Sequence, residues 1–543
     1  MNATSPFVAI AAALAADGFE ANLNIRGAVF RGSIIVNGFT LKISLRYSDL
    51  TLTEAPRTFI ENPEILPRKV IPHLDDENEL CVVDRDRFVV DRYSAPAEAR
   101  GLVVKAARVI ERGLTKHAIE EIAREFPQHW SMQGVSVAFG RYQGPLEQAA
   151  DSGNFAIWLP SKKKKGSRSG FCVTTDSRLS FFENQKRPSS LGEVLEWASE
   201  CDDKLPSKIL HALGQCSPLP DPTCFIVAPN GTVGFELLLS KKGPSTAKAL
   251  ERPAAWQKIL RLPLGKNLPI ARKRGLRMDI DHVLGRNGNG TPPLWSKDIV
   301  LVGAGSIGGY LARALGQLGA GRGPSGRLTL IDDDVLKATN IGRHSLGTPE
   351  VGKLKVNALR EQIEADFPGA RVWSRNGLVQ TQQLLLSQAD LVIEATGERG
   401  VSELLNSLVI DARIRGSRYP AVLYTWIEGA GAAVQTFFGS DPEFGCLRCL
   451  HPDFVQPSRF SALKDEGNVE LMGGCGEAFF MPYGPSAPMM AASLATQHIY
   501  DWVQGNARPV LRTVRLNLHQ TREVKPSNPR RAASCPACSS HGN

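Results

Sequence analysis

Four cysteines in this chain are spaced as metal ligands. Cys446 and Cys449 (GCLRCLHP) and Cys535 and Cys538 (CPAC) form two Cys-x-x-Cys hooks, and two such hooks supply the four thiolates of a closed tetrahedral zinc site. The long interval between them means that zinc would pin the C-terminal tail back onto its domain. A fifth cysteine, Cys475, lies between the hooks among glycines in GGCGEAFFMPYGPSA, where a thiol is placed to move and to react. A sixth, Cys81, ends the extended segment PHLDDENELCV; taken alone, such a cysteine is core as often as catalytic. The remaining chemistry-bearing pattern is GxGxxG, with Gly303, Gly305 and Gly308 in LVGAGSIGG. Glycines at that spacing let a strand turn sharply into a helix whose first amides face a phosphate.

The elements that must position these groups follow from periodicity. FVAIAAALAA (7–16) reads as an opening helix, too short to span a bilayer and without the preceding basic residues of a signal peptide. GAVFRGSIIVNGFTLKISLRY (27–47) alternates around an Asn37-Gly38 turn, predicting antiparallel strands. Helical periodicity runs from Ala97 to about Trp130 after a proline-punctuated stretch. Residues 136–275 mix strand runs such as CFIVA at Cys224 with the helix pattern LGEVLEWASE at Leu191, an α/β linker domain whose fold the pattern does not name. From about Leu276 strands and helices alternate, predicting a mostly parallel, Rossmann-like sheet with helices on both faces. The domains are accordingly drawn as 1–135, 136–275 and 276–543.

The 543 residues carry a net charge of +9 with both signs well mixed, and no basic stripe with interleaved aromatics points to nucleic acid. The dense basic run SKKKKGSRSG (161–170) reads as a solvated loop. With no run long enough to cross a membrane, a cytoplasmic protein is expected, and ten cysteines in a reducing compartment are not a disulfide framework.

What the glycine loop holds is decided further along. A second strand, Arg327 to Ile331, ends at Asp332, whose carboxylate can take two ribose hydroxyls of NAD or ATP equally well. Asn340 and Arg343 in NIGR and Lys355 in GKLK follow; a hydride-transfer site has no use for them, whereas a leaving pyrophosphate does.

The run GxGxxG, IDDD, NxxR, GxxK resembles the adenylyltransferase fold shared by ubiquitin-activating enzymes and ThiF/MoeB-like activators, over residues 299–538. The resemblance implies ATP in the glycine loop, Asp332 on the ribose, and Asn340, Arg343 and Lys355 on the phosphates. Family members often place a magnesium-binding Asp in a D-x-T-D segment after the fourth strand; here LVIEATGERG has Gly397 at that point, leaving Glu394 or Glu398. The family's thiol that takes the acyl group from AMP, a Cys followed closely by an acid, corresponds to Cys475 in CGE. Residues 15–132 resemble a divergent ubiquitin-conjugating domain with Cys81 as its thiol, and His73 stands where that family has an Asn polarising the thioester carbonyl.

A conjugating domain ahead of an activating domain resembles the fusion enzymes of bacterial CBASS anti-phage operons, which attach the C-terminus of a cGAS/DncV-like nucleotidyltransferase to a target. The resemblance implies a homodimer, with Arg286 of RMDIDHVLGR reaching the partner's ATP. The expected course is adenylation of the donor's carboxylate, capture on Cys475, exchange to Cys81 and ligation to a target amine, most often lysine. Domain rotation must let the two thiols meet. A sulfur-carrier or ubiquitin-like activator, an NAD oxidoreductase and a non-catalytic scaffold are the competing readings.

Overall fold

A computed structural model describes residues 6–538 except 25–26, 49–51, 53, 84–89, 92, 151–155, 162–169, 183–184, 217–220, 240–252, 287–289, 454–457 and 466–481. Cys475 and most of the basic run therefore lie outside the described residues. The chain divides into two compact units, 1–279 and 280–543.

The first unit opens with the expected helix, Pro6–Ala15, and an antiparallel sheet in sequence order: β1 (Glu20–Asn24), β2 (Gly27–Val36), β3 (Phe39–Tyr47), β4 (Arg57–Ile60) and β5 (Glu79–Leu80). Asn37 and Gly38, with φ of +51° and +83°, make the left-handed turn between β2 and β3, as the Asn-Gly pair predicts. The helix Ala95–Gly113 lays Ala99, Leu102, Ala106 and Ile110 on this sheet, one helical face at three- and four-residue spacing. Two short helices, Ala118–Arg124 and Phe126–Trp130, complete the helical stretch.

The strands that follow close into a barrel: β6 (Gly134–Val137), β7 (Gly144–Ala150), β8 (Ala156–Pro160), β9 (Gly170–Thr174), β10 (Thr223–Ala228), β11 (Gly231–Leu237) and β12 (Ile270–Arg277). Closure comes from β12 pairing in parallel with β6, Arg274 opposite Gly134 and Arg277 opposite Val137. β10 is buried on both faces: Phe225 and Val227 pack with Trp158 and Leu146, while Cys224 and Ile226 pack with the helices Leu191–Cys201 and Leu205–Gln215. Trp130, Phe126, Phe181 and Trp197 stack at one end of that second cluster, and Trp130 Nε1 donates to Gly234 O at 2.8 Å. This anchors the helices before the barrel to the barrel wall.

The second unit is a seven-stranded sheet in the order β15-β14-β13-β16-β17-β18-β19: β13 (Asp298–Val302), β14 (Arg327–Ile331), β15 (Val372–Arg375), β16 (Leu391–Glu394), β17 (Ala421–Glu428), β18 (Ala433–Phe438) and β19 (Leu511–Arg515). The first five in spatial order are parallel and the last two pairings antiparallel. β13 sits where the chain reverses direction of progress across the sheet, the crevice at which doubly wound folds bind ligands. Among the described residues no helix is long and apolar enough to cross a membrane.

Candidate active site

The glycine loop leaves β13 and enters the helix Ser306–Gln317. Its three glycines have three different reasons. Gly303 has φ of +92°, and a Cβ there would lie 2.8 Å from Thr396 N. At Gly308 a Cβ would meet Gly303 O at 1.8 Å, so the helix and strand pack backbone on backbone. Around Gly305 nothing lies within 4 Å of the Cβ position.

Asp332, directly after β14, accepts from Ala304 N at 2.7 Å through Oδ2 and from Asp334 N at 2.8 Å through Oδ1. The carboxylate therefore bridges the glycine loop and the IDDD loop. Lys355 heads the helix Lys355–Asp366 and is 6% exposed, with Nζ on Asp334 Oδ2 at 2.6 Å. Asn340 closes a short helical turn by accepting from Lys337 N through Oδ1 at 2.9 Å. Arg343 N donates to Asn340 O, and its guanidinium lies 5.1 Å from the ring centre of Tyr483.

Tyr483 and His344 had no place in the sequence argument. Tyr483 Oη shares a 3.0 Å hydrogen bond with Ser306 Oγ, so the chain that resumes after the Cys475 segment stands on the first helical residue of the cradle. His344 accepts from Leu346 N at Nδ1 (3.0 Å), which leaves Nε2 to donate to Ala304 O at 2.8 Å; burial, more than the nearby Lys355 charge, lowers its pKa. The local signals were Gly309, whose Cβ would meet His344 Cε1 at 2.9 Å, and the histidine directly after Arg343.

The two glutamates offered for magnesium differ. Glu394 is 2% exposed and both its oxygens are taken: Oε1 by Thr396 N and the Thr396 hydroxyl, Oε2 by Ser402 Oγ at 2.7 Å, with burial raising its pKa. Glu394 is thus a brace at the end of β16. Glu398 is exposed at the start of the helix Arg399–Ile414, next to Gly397 with φ of +73°. Arg286 is exposed after the helix Ile280–Gly285.

Cys446, Cys449, Cys535 and Cys538 are all buried, with their sulfurs within 4.8 Å of one another. The separations of 3.9, 3.8 and 3.3 Å from Cys446 to Cys449, Cys446 to Cys535 and Cys449 to Cys538 bracket the edge of about 3.8 Å that a zinc–sulfur tetrahedron requires. Ala532 N points at Cys449 Sγ from 3.4 Å, the outer hydrogen bond that thiolate ligands commonly receive. The donor set therefore fits zinc.

In the first unit, Cys81 is exposed and its amide donates to His73 O at 2.8 Å. His73 has φ of +65°, a conformation His and Asn tolerate better than most residues. Its Nε2 lies 3.3 Å from Glu121 Oε1 and its Nδ1 3.9 Å from Glu125 Oε2. A groove of about 660 Å³ is lined by Cys81, His73, Glu125, His129, Met132 and Arg274, among others.

The ThiF family model matches residues 287–538. The second unit carries a ThiF-family domain. The whole chain is similar to the "ATP-dependent ubiquitin transferase-like protein Cap2" of Pseudomonas aeruginosa (strain BWHPSA011 / Pa011), 28% identical over 523 residues and 91% of each chain. A protein of the same name from Escherichia coli (strain TW11681) is 27% identical over 56% of this chain and 53% of its own length. Among solved structures, a crystal structure of E. coli MccB with ATP aligns over 47% of this chain and 69% of its own, at 15% identity and a TM-score of 0.35, too slight a likeness to carry weight. The full-length relative and the ThiF-family domain make the chain an enzyme related to the ubiquitin transferase-like proteins.

Proposed function

We propose that the enzyme activates the C-terminus of a protein with ATP and ligates it to a target amine by way of two thiols. The single observation that carries this reading is the similarity to Cap2 across both units, because an activator alone has no use for the first one. The cradle supports it from the chemistry. Gly305 has open space at its Cβ position, where this reading puts a phosphate; Asp332 is its ribose ligand, and Asn340, Arg343 and Lys355 are its phosphate ligands.

In the first step the donor's carboxylate oxygen bonds to the α-phosphorus of ATP and the bond to pyrophosphate breaks. Lys355 and Arg343 balance the negative charge that leaves, and Glu398 is the acid with free reach toward magnesium, which would screen the phosphates when bound. Cys475 sulfur then attacks the acyl carbon and AMP departs. Cys81 takes the acyl group by thioester exchange, and an amine receives it as an amide. Asp332 and His344 act through position, one holding the ribose side of the loop and the other the Ala304 carbonyl. The four clustered cysteines would hold a structural zinc. By its resemblance to the CBASS fusion enzymes, the donor is a cGAS/DncV-like nucleotidyltransferase and the enzyme a cytoplasmic homodimer in anti-phage defence.

Pyrophosphate exchange dependent on the donor tests the first step: Asp332→Ala and Arg343→Ala should each lower it about 100-fold or more. Labelled donor on non-reducing gels tests the order. Cys475→Ala should form no thioester at either site, and Cys81→Ala should stop with a reducible adduct on Cys475. Normal charging of Cys81 in Cys475→Ala would reverse the order, and tight NAD binding without ATP binding would end the reading.

A further inference from the structure

A guanidinium that is to meet phosphate must be held still, because an arginine stem is long and flexible and ordering it costs conformational entropy. The backbone of Arg343 is fixed by its neighbours. Tyr310 Oη donates to His344 O at 3.4 Å and His344 Nε2 to Ala304 O at 2.8 Å, which ties the NIGRH loop to the helix Ser306–Gln317 and to the glycine loop. The side chain is met by a ring. Its guanidinium carbon lies over the face of Tyr483, 5.1 Å from the ring centre, inside the range of about 6 Å over which an aromatic face attracts a cation.

Tyr483 is itself seated from two further sides. Its Oη shares the 3.0 Å hydrogen bond with Ser306 Oγ, on the first residue of the cradle helix. At its base is the turn between β17 and β18, where Gly431 has φ of +79° and a Cβ would lie 3.0 Å from Tyr483 Cβ. The hydroxyl and the turn hold the ring in place, and the ring face is left for the cation. Both side chains are only half-buried, so a ligand entering the cradle can reach the guanidinium while the ring supports it.

We propose that Tyr483 is a positioning residue of the adenylation step, its ring face holding the Arg343 guanidinium toward the β- and γ-phosphates of ATP and its hydroxyl anchoring the ring on Ser306. The inference rests on the reading of Arg343 as a phosphate ligand. Tyr483 touches no reacting atom. It orders a flexible arginine before the ligand arrives, so its loss is felt by a nucleotide that carries those phosphates and not by one that lacks them.

The test is titration calorimetry of the full chain with ATP and magnesium, and separately with AMP, which has no β- or γ-phosphate. Tyr483→Leu removes the aromatic face and should bind ATP about 5-fold more weakly or worse, while its affinity for AMP changes by less than about 2-fold. Tyr483→Phe keeps the face and loses only the hydroxyl, so it should retain most of the wild-type affinity for ATP. If the Leu variant does not fold, Tyr483→Met takes its place with the same expectation. A Leu or Met variant with wild-type affinity for ATP overturns the assignment. So does one that loses ATP and AMP equally, the mark of a purely structural side chain, or a Phe variant as weak as they are. Arg343→Ala separates the two levels: it should lose most of the preference for ATP over AMP, and if it keeps that preference the reading of Arg343 falls instead.

Discussion

The glycines of the cradle separate binding from folding at the level of single atoms. Gly305→Ala adds a methyl group to open space, so the second unit should melt normally and bind ATP at least 10-fold more weakly in calorimetry. Gly308→Ala drives a Cβ into the Gly303 carbonyl, and overpacking of this kind costs up to about 3 kcal/mol. That variant should lower the unit's melting point by roughly 6–12 °C. Equal melting points for the two would show that the contacts do not divide this way. The spacing of the three glycines was legible in the sequence because the turn at Gly303 and the contact of Gly308 with Gly303 are local, whereas the approach of Thr396 to Gly303 is not. The role of His344 was legible only in part: Gly309 and the position directly after Arg343 mark it, but its partner is a carbonyl 40 positions upstream, which no local pattern names.

Among the elements, the C-terminal tail depends most on side-chain chemistry. After β19 it turns back beside that strand, Leu511 and Ser527 exchanging backbone hydrogen bonds at 3.0 Å, with Gly445 N donating to Pro529 O at 2.8 Å and Arg459 Nη1 donating to Cys449 O at 2.8 Å and Arg530 O at 3.3 Å. Four buried sulfurs close the path. Purified protein should hold about one zinc per chain, and because structural zinc contributes on the order of 10 kcal/mol in small domains, its removal should expose the tail to proteolysis before it abolishes adenylation. Rapid alkylation of all four thiols in the native protein, without chelator, would rule the site out. Element prediction succeeded where the pairing is between neighbours, as in β2–Asn37-Gly38–β3, and where strand and helix alternate, as from β13 onward. It gave no fold for the barrel because β6 and β12 pair across 140 positions, Gly134 with Arg274, and nothing local in either strand names the other.

Each unit of the whole molecule buries a histidine that must stay neutral. His129 is held at about 3 and His498, fully buried between Thr436 and Ala507, at about 4, burial being the first cause of both. The ordinary value near 6.5 belongs to the unfolded chain, so below it the unfolded state binds the extra proton and stability falls with pH. The loss continues until the folded values are reached. Each histidine contributes at most about 1.4 kcal/mol per pH unit. Both units should therefore melt lower at pH 5 than at pH 7, and His498→Gln should weaken this dependence in the second unit only, leaving the part that buried His344 carries; identical melting at the two pH values would contradict the burial of both rings. The barrel raises a mechanical point. Its first and last strands are parallel neighbours, so a pull on the chain before Gly134 and after Arg277 slides β6 and β12 along each other and strains their hydrogen bonds together, whereas a hairpin would unzip them one at a time. A segment tensioned in that way resists stretching, so a force arriving at either of its ends is handed on to the other with little give.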